Sequence, residues 1–154
     1  MQPLTAPMDL TTAVDFARTT RQSVLTTLKA DGRPQLSNVF HQIDPDGIVR
    51  ISITADRAKY VNLHRTPWAA LHVTQQDFWA YVVLEGDVTL SAVAASVDDP
   101  TVAELETLYR NLIGEHANWD DYRAAMVAER RAVVRLQPTR AYGMVRPPRI
   151  TQAQ

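Results

Sequence analysis

The stretch Asp31-Gly-Arg-Pro-Gln-Leu-Ser-Asn38 decides how this chain folds, because a chain reversal is followed at once by a polar strand. Asp-Gly adopts the backbone angles of a tight hairpin at little steric cost, so residues 30–33 can join two short antiparallel strands. The strand after the turn carries amide and hydroxyl groups where a purely structural strand would carry Val, Ile or Thr; these are Gln35, Ser37 and Asn38. Their side chains could line the edge of a bound ring, or they could form an ordinary solvated sheet face.

A second stretch, Arg57-Ala-Lys-Tyr-Val-Asn62, places basic and amide side chains in the first turns of a predicted helix, with Asp56 as the expected cap. Unpaired backbone N–H groups and the positive end of the helix dipole favour an anion at such a position. Arg57, Lys59 and Asn62 could therefore bind a phosphate, although the solvated face of a surface helix carries the same residue types. A polar strand beside a basic helix start suggests a ligand with a polar ring edge and a phosphate.

The remaining pattern predicts one α+β domain over residues 1–154, with a loose arm at 1–8 and a tail at 147–154. Further helices are expected after Asp9, after Asp99-Pro100, where proline follows an N-cap, and over 119–129. Strands are expected over residues 20–30, 34–43, 48–54, 68–74, 78–92, 132–136 and 141–145. Tight turns make the first pairings antiparallel, so six or so strands favour a small barrel or a strongly curved sheet.

Aromatic and histidine residues give less specific signals. Trp79 and Tyr81 share one face of the expected strand, where they could cover a planar ligand, contact a partner subunit or belong to the core. The four histidines show no metal-binding spacing, so no metal site is predicted. His41 lies on the Gln35 side of a regular strand, which makes it a candidate catalytic residue, although a structural or merely exposed histidine explains it better. Tyr81 is a second candidate.

Composition excludes several classes of function. The formal net charge is −1, which provides no bulk attraction to nucleic acid or to anionic lipid. The chain has no cysteine, which excludes disulfides, thiolate metal sites, iron–sulfur clusters and a thiol nucleophile. It also lacks a signal-peptide pattern and a membrane-spanning apolar run. We therefore expect a cytoplasmic protein with neither nucleic-acid nor membrane partners.

Several stretches together resemble the pyridoxamine-phosphate-oxidase-like split β-barrel proteins, and within them the actinobacterial deazaflavin (coenzyme F420)-dependent oxidoreductases. The stretches are Asp31-Gly-Arg-Pro-Gln-Leu-Ser-Asn-Val39, Arg57-Ala-Lys59 with Asn62-Leu63, Trp79-x-Tyr81 with Glu85-Gly86, Leu108-Tyr-Arg-Asn111, Gly114-Glu-His116, Trp119-Asp-Asp-Tyr-Arg123 and Tyr142-Gly143. The likeness covers residues 20–145, and its motifs are specific in combination rather than singly.

The resemblance implies a six-stranded antiparallel split β-barrel with peripheral helices, which forms a homodimer with cofactor clefts between the subunits. It implies cofactor binding by Arg33, Gln35, Ser37, Asn38, Ser52, Arg57, Lys59, Asn62, Trp79 and Tyr81. In this arrangement Arg57 and Lys59 hold the cofactor phosphate with the help of Ser52, and Arg33 suits an acidic cofactor tail. Trp79 and Tyr81 match positions that enter the cleft from the opposite subunit.

The implied activity is hydride transfer from reduced F420 to an unsaturated small-molecule acceptor. The phosphate and the glutamate chain of this cofactor would form charge-assisted hydrogen bonds with cationic side chains. Hydride chemistry belongs to the cofactor ring, so an enzyme of this kind needs no obvious acid–base pair. An FMN-dependent oxidase or reductase and a non-catalytic F420-binding or carrier protein are the alternatives.

Overall fold

The computed structural model describes residues 7–145 of the chain. It contains four helices, α1 (Leu10–Ala17), α2 (Ala58–Arg65), α3 (Pro100–Leu112) and α4 (Trp119–Ala128). Its strands are β1 (Gln22–Leu28), β2 (Pro34–Phe40), β3 (Gln42–Ile43), β4 (Val49–Thr54), β5 (Trp68–Thr74), β6 (Tyr81–Leu90) and β7 (Arg131–Met144). No helix within residues 7–145 is both long and apolar enough to cross a membrane.

All of these strands join one antiparallel sheet, in the order β2-β1-β5-β6-β7-β4-β3, which curls into a half-barrel. The α+β class is confirmed, but the expected number of six strands is wrong, because the described residues form seven. One cause is His41, which interrupts the strand expected over 34–43 and leaves the short β3 behind it.

The two strands expected at 132–136 and 141–145 are one continuous strand, β7. Its first half pairs with β4 and most of its length pairs with β6. The register with β6 shifts between Glu85 and Gly86, which face Arg140 and Pro138, so an extra residue is accommodated there. Such a bulge tolerates Pro138, which has no backbone N–H to contribute to the ladder.

Alternation of apolar residues builds the core as the sequence predicts. On β4, Val49, Ile51 and Ile53 are buried, whereas the residues between them face away from the half-barrel interior. Helix α1 packs against β6 and β7 on the inner side of the sheet, while α3 and α4 cover the outer side of β4 and β7.

The outer face of β2, β1 and β5 carries apolar side chains that no helix covers, and we call it the open sheet face. Leu36 and Phe40 on this face are 61 % and 63 % exposed. They alternate with Gln35, Ser37 and Val39, which point to the inner side. The sheet therefore has one face closed by helices and one face partly open to solvent.

Three local predictions have clear outcomes. Asp99 caps α3, since its side chain accepts a hydrogen bond from Val102 N at 2.8 Å. The cap predicted for α2 is wrong, because Arg57 occupies the N-cap position and no side chain caps that helix. The loose arm is wrong for its last two residues: Pro7 bridges to Tyr142, and Met8 N donates to Ala141 O. The rest of that arm and the tail at 147–154 lie outside the described residues.

Candidate functional site

Three cations meet where α2 begins beside β4 and β7, and we call Arg57, Lys59 and Arg131 the basic cluster. Burial lowers the pKa of Lys59, and the positive charges of Arg57 and Arg131 lower it further. Within residues 7–145, neither Arg57 nor Lys59 forms an ion pair with a carboxylate. A partly buried, uncompensated positive charge is electrostatically suited to an anion.

Ser52 adjoins this cluster from the outward-facing side of β4. Its Oγ accepts a long hydrogen bond of 3.4 Å from Arg131 Nη1. The contact follows from the pairing of β4 with β7, in which Thr54 lies opposite Arg131 and Ser52 opposite Val133. Sequence patterns alone do not indicate Arg131, because its neighbours depend on the pairing of β4 with β7, which are distant in the chain.

Helix α2 packs against β1, which pairs with the polar strand β2. Asn62 of α2 donates to Thr27 Oγ1 at 3.1 Å, and Thr27 is the register partner of Gln35. Gln35 and Ser37 both face the inner side of the sheet, where Ser37 Oγ is buried without a hydrogen-bond partner. A buried hydroxyl without a partner is costly, and a polar ligand edge would satisfy it.

Asn38 and Arg33 lie apart from that inner face. Asn38 sits opposite Val24 on the open sheet face, where it lines a groove of about 400 Å³ with Phe40 and His72. Arg33 stands in the β1–β2 turn with 82 % of its side chain exposed. The three polar residues of β2 therefore divide between two faces, as strand alternation requires.

Asn62 has partners within the protein for both ends of its amide. Besides its bond to Thr27, its Oδ1 accepts from Arg65 Nη2 at 3.0 Å, and the residue is only 6 % exposed. These contacts attach α2 to β1 and assign Asn62 a structural role near the cluster. Direct cofactor contact by Asn62 stays a prediction.

Trp79 and Tyr81 differ in position from the sequence expectation. Strand β6 begins at Tyr81, and Trp79 belongs to the preceding turn, in which Phe78 has a φ of 65°. Trp79 is 55 % exposed, which rules out the core alternative for its ring. Tyr81 is half-buried, with its ring centroid 5.5 Å from that of His72.

His41 is buried and does not face a cleft. It is 1 % exposed, its Nε2 contacts Ala17 O at 2.8 Å, and its Nδ1 contacts Ser23 Oγ at 2.7 Å. A carbonyl only accepts, so Nε2 carries the proton and Nδ1 accepts from the hydroxyl of Ser23. Burial lowers the pKa of His41, which favours this neutral form. His41 has no free ring nitrogen for a substrate, so the structure removes the basis for a catalytic role.

The polar residues predicted to bind a ligand fall into two groups. The basic cluster and Ser52 offer donors to an anion, and Gln35 and Ser37 offer polar groups on the inner face of β2. Within residues 7–145 no group of His, Asp or Glu side chains is arranged to hold a metal ion. The arrangement can bind and orient a ligand, but it contains no assembled acid–base pair around it.

Comparison with known proteins identifies the family and the fold of the chain. The family described as pyridoxamine 5'-phosphate oxidase matches residues 11–145 of the chain. Among solved structures, a conserved hypothetical protein from Mycobacterium tuberculosis is similar over 100 % of this chain and 98 % of its own. The two sequences are 20 % identical, and the TM-score is 0.70.

Two further structures carry informative descriptions. An F420 reductase is 24 % identical, with a TM-score of 0.63 over 82 % of this chain and 94 % of that one. A pyridoxamine 5'-phosphate oxidase-related, FMN-binding protein from Nostoc punctiforme is 14 % identical, with a TM-score of 0.55 over 86 % of this chain and 78 % of that one. At these identities the likeness establishes a shared fold.

Proposed function

Because this chain belongs to the pyridoxamine 5'-phosphate oxidase family, we propose that it is an oxidoreductase that binds a phosphate-bearing flavin or deazaflavin. More specifically, we propose an F420-dependent reductase that transfers a hydride from the reduced cofactor to an unsaturated small-molecule acceptor. The observation that carries the proposal is the positive charge of Arg57 and Lys59 at the start of α2, neither of which forms an ion pair within residues 7–145.

The cofactor phosphate would occupy the basic cluster. Arg57 provides a planar guanidinium that can bind two phosphate oxygens, and Lys59 provides a second cation from the first turn of α2. Burial lowers the pKa of Lys59, and repulsion from Arg57 and Arg131 lowers it further; the anion would relieve that repulsion. Arg33, exposed at the β1–β2 turn, would serve the acidic tail that distinguishes F420 from FMN.

The cofactor ring would lie along the polar residues of β2. Gln35 offers an amide, and the unpartnered Ser37 Oγ offers a hydroxyl to a polar ring edge. When bound, the reduced cofactor supplies the hydride. The chain's own groups orient the ring and limit its exposure to water, and Tyr81 remains the candidate proton donor.

A second copy of the chain would complete the site. We propose that the open sheet face forms the contact of a homodimer, since Leu36 and Phe40 expose apolar surface there. Trp79 is exposed in the β5–β6 turn, from which it could cover a ring bound to the partner subunit. Asn38 and Tyr81, which lies beside His72, are on the open sheet face and would belong to the same contact.

Analytical ultracentrifugation tests this dimer. The wild type should sediment as a dimer, and the double variant Leu36→Glu/Phe40→Glu should be a folded monomer, because the added charges cannot be buried between two sheets. Ile113→Glu is the matched control, since Ile113 is an apolar residue that is 66 % exposed elsewhere on the surface. A dimeric double variant, or a monomeric wild type, would contradict this part of the proposal.

FMN is the competing cofactor, because one similar structure is an FMN-binding protein while another is an F420 reductase. Titrating the apo protein with each cofactor, followed by tryptophan fluorescence, decides between them. Tighter binding of F420 supports the reductase, and tighter binding of FMN favours the oxidase-like alternative. Binding of F420 without oxidation of its reduced form by any of a panel of unsaturated acceptors favours a carrier protein.

The same titration tests the site residues. Replacing Arg57 and Lys59 by Ala should weaken cofactor binding by about 3 kcal/mol, or roughly 100-fold in Kd, through the loss of charge-assisted hydrogen bonds. Arg18→Ala is the control, because Arg18 is an exposed cation at the end of α1 that pairs with Asp15 and has no part in the proposed site. Unchanged affinity in a folded double variant would show that the phosphate binds elsewhere.

A further inference from the structure

Arg131 is the member of the basic cluster that stands on a strand. It opens β7, beside β4, and 30 % of its side chain is exposed. Of the three cations, only Arg131 has side-chain hydrogen-bond partners within residues 7–145, Glu129 and Ser52. Ser52 is one of the donors that the proposed function places around the phosphate.

Glu129 already supplies Arg131 with an anion from the end of α4. Its Oε2 accepts from Arg131 Nε at 2.8 Å, and 46 % of the Glu129 side chain is exposed. Arg131 Nη1 makes only the 3.4 Å contact to Ser52, and within residues 7–145 its Nη2 has no acceptor. The guanidinium thus keeps donors available on the side of Ser52 while it binds a carboxylate through Nε.

We propose that Arg131 completes the phosphate site, and that Glu129 is an internal anion that competes with the phosphate for Arg131. This inference rests on the proposed function for the identity of the natural ligand, but the anion site itself can be tested without a cofactor. A phosphate bound between Arg57, Lys59 and Ser52 would receive the Nη donors of Arg131. The pairing with Glu129 would weaken because the guanidinium then shares its charge with a second anion.

The physical reason is electrostatic balance. Three cations face two carboxylates, Glu129 on Arg131 and Asp56 near Arg57, so the site keeps a net positive charge. The charge of Arg131 acts on Lys59 even while Glu129 is paired with Arg131. A surface ion pair of this kind is weak, so an anion with several acceptor oxygens can displace it at small cost. Glu129 would then reduce the affinity for anions without blocking the site.

The experiment is a thermal-unfolding titration with inorganic phosphate, which needs no cofactor and no turnover. The apparent Kd for phosphate should be about tenfold weaker in Arg131→Gln, as expected for the loss of one charge-assisted contact, and roughly threefold tighter in Glu129→Gln. Arg130→Gln is the matched control, because it removes the same charge from the adjacent, exposed residue and should change the Kd little.

The outcomes separate this inference from the proposed function. Equal phosphate affinity in Arg131→Gln and Arg130→Gln, or no gain in Glu129→Gln, would overturn the role of Arg131, as would a wild type that phosphate fails to stabilise. If phosphate binds as expected while neither F420 nor FMN binds, the role of Arg131 stands and the proposed function fails. If a cofactor binds and Arg131→Gln has no effect on either ligand, only the role of Arg131 fails.

Discussion

Glu104→Gln is the substitution that most directly tests how α3 is held against the sheet. Glu104 Oε2 accepts from Arg50 Nε at 3.1 Å and from Arg135 Nε at 2.9 Å, and its Oε1 accepts from Arg135 Nη2. Arg50 and Arg135 face each other on β4 and β7, so one carboxylate of α3 connects both strands. Glutamine keeps the shape of the side chain but removes the charge that both arginines share.

The expected cost is about 2 kcal/mol of unfolding free energy at pH 7. A hydrogen bond to a charged group contributes roughly 1.5–3 kcal/mol, and Gln can form only some of the hydrogen bonds that Glu104 accepts from the two arginines. The loss is reduced because the Arg50 and Arg135 side chains are 25 % and 33 % exposed, and because Arg50 keeps its ion pair with Asp44. Such a loss lowers Tm by about 4–8 °C in a domain of this size.

The pH dependence gives a second readout. The Arg135 guanidinium, with that of Arg50, holds the pKa of Glu104 below its usual value of 4.5. A lowered carboxyl pKa adds stability that is fully present above the unfolded-state pKa and is lost as pH falls through the folded-state pKa. The difference between wild type and Glu104→Gln should therefore be largest above pH 4.5 and shrink in acid.

Urea unfolding of both proteins from pH 7 down to pH 3 measures this difference. The control is Asp15→Asn, which removes an i,i+3 pair whose carboxylate is 63 % exposed and should cost less than about 0.5 kcal/mol. A cost for Glu104→Gln no larger than that of the control, or one that does not shrink in acid, would refute the claim that Glu104 connects the two strands to α3.

Three further predictions concern stability. The wild type should lose unfolding free energy as pH falls below about 6.5, because the buried His41 imidazole has a lowered pKa and only the unfolded chain takes up the proton. This loss should be smaller in His41→Gln; unfolding free energies from pH 8 to pH 5 measure it, and exposed His64→Gln is the control. Gly143→Ala should lower the unfolding free energy in urea by about 3 kcal/mol or more, because the φ of Gly143 is 146° and an added Cβ would clash with Tyr81 O. Gly114→Ala should cost about 1 kcal/mol, because the φ of Gly114 is 116° but an added Cβ would meet no other atom within 4 Å. Asp99→Ala should lower the unfolding free energy by about 1–2 kcal/mol, measured the same way, because Asp99 accepts from Ala95, Ser96 and Val102 N; a change below about 0.3 kcal/mol would contradict its role as cap.

Local chemistry made the hairpin and much of the secondary structure predictable. Asp31-Gly32 forms the expected reversal, with Gly32 at φ 85° and Lys29 N bonded to Arg33 O at 2.8 Å. The period-2 pattern of β4 predicted its buried face, and Asp99-Pro100 predicted the start of α3. Each of these signals is contained within a few consecutive residues, so no knowledge of the rest of the chain is needed.

The site could be predicted only in part, because several of its features depend on distant contacts. Arg131 reaches Ser52 across 79 residues of sequence, and nothing near either residue indicates that β4 pairs with β7. Strand alternation indicates the side to which His41 points, but not that Ala17 and Ser23 occupy both of its ring nitrogens. Trp79 fits the alternating pattern, yet the chain turns at Phe78 and delays β6 until Tyr81.

The strand order has a consequence for how the chain folds. Adjacent strands in the sheet are often far apart in sequence: β1 pairs with β5, and β4 pairs with β7. Such non-local pairings slow folding, because the entropy of closing a long loop is lost before the contacts form. During synthesis β4 can pair with β3 as soon as both are made, but its other edge stays unpaired until β7 is made. The same strand β7 also pairs with β6. The edge of β4 that pairs with β7 therefore keeps unpaired backbone N–H and C=O groups until β7 has been made, which is the interval in which aggregation competes with folding.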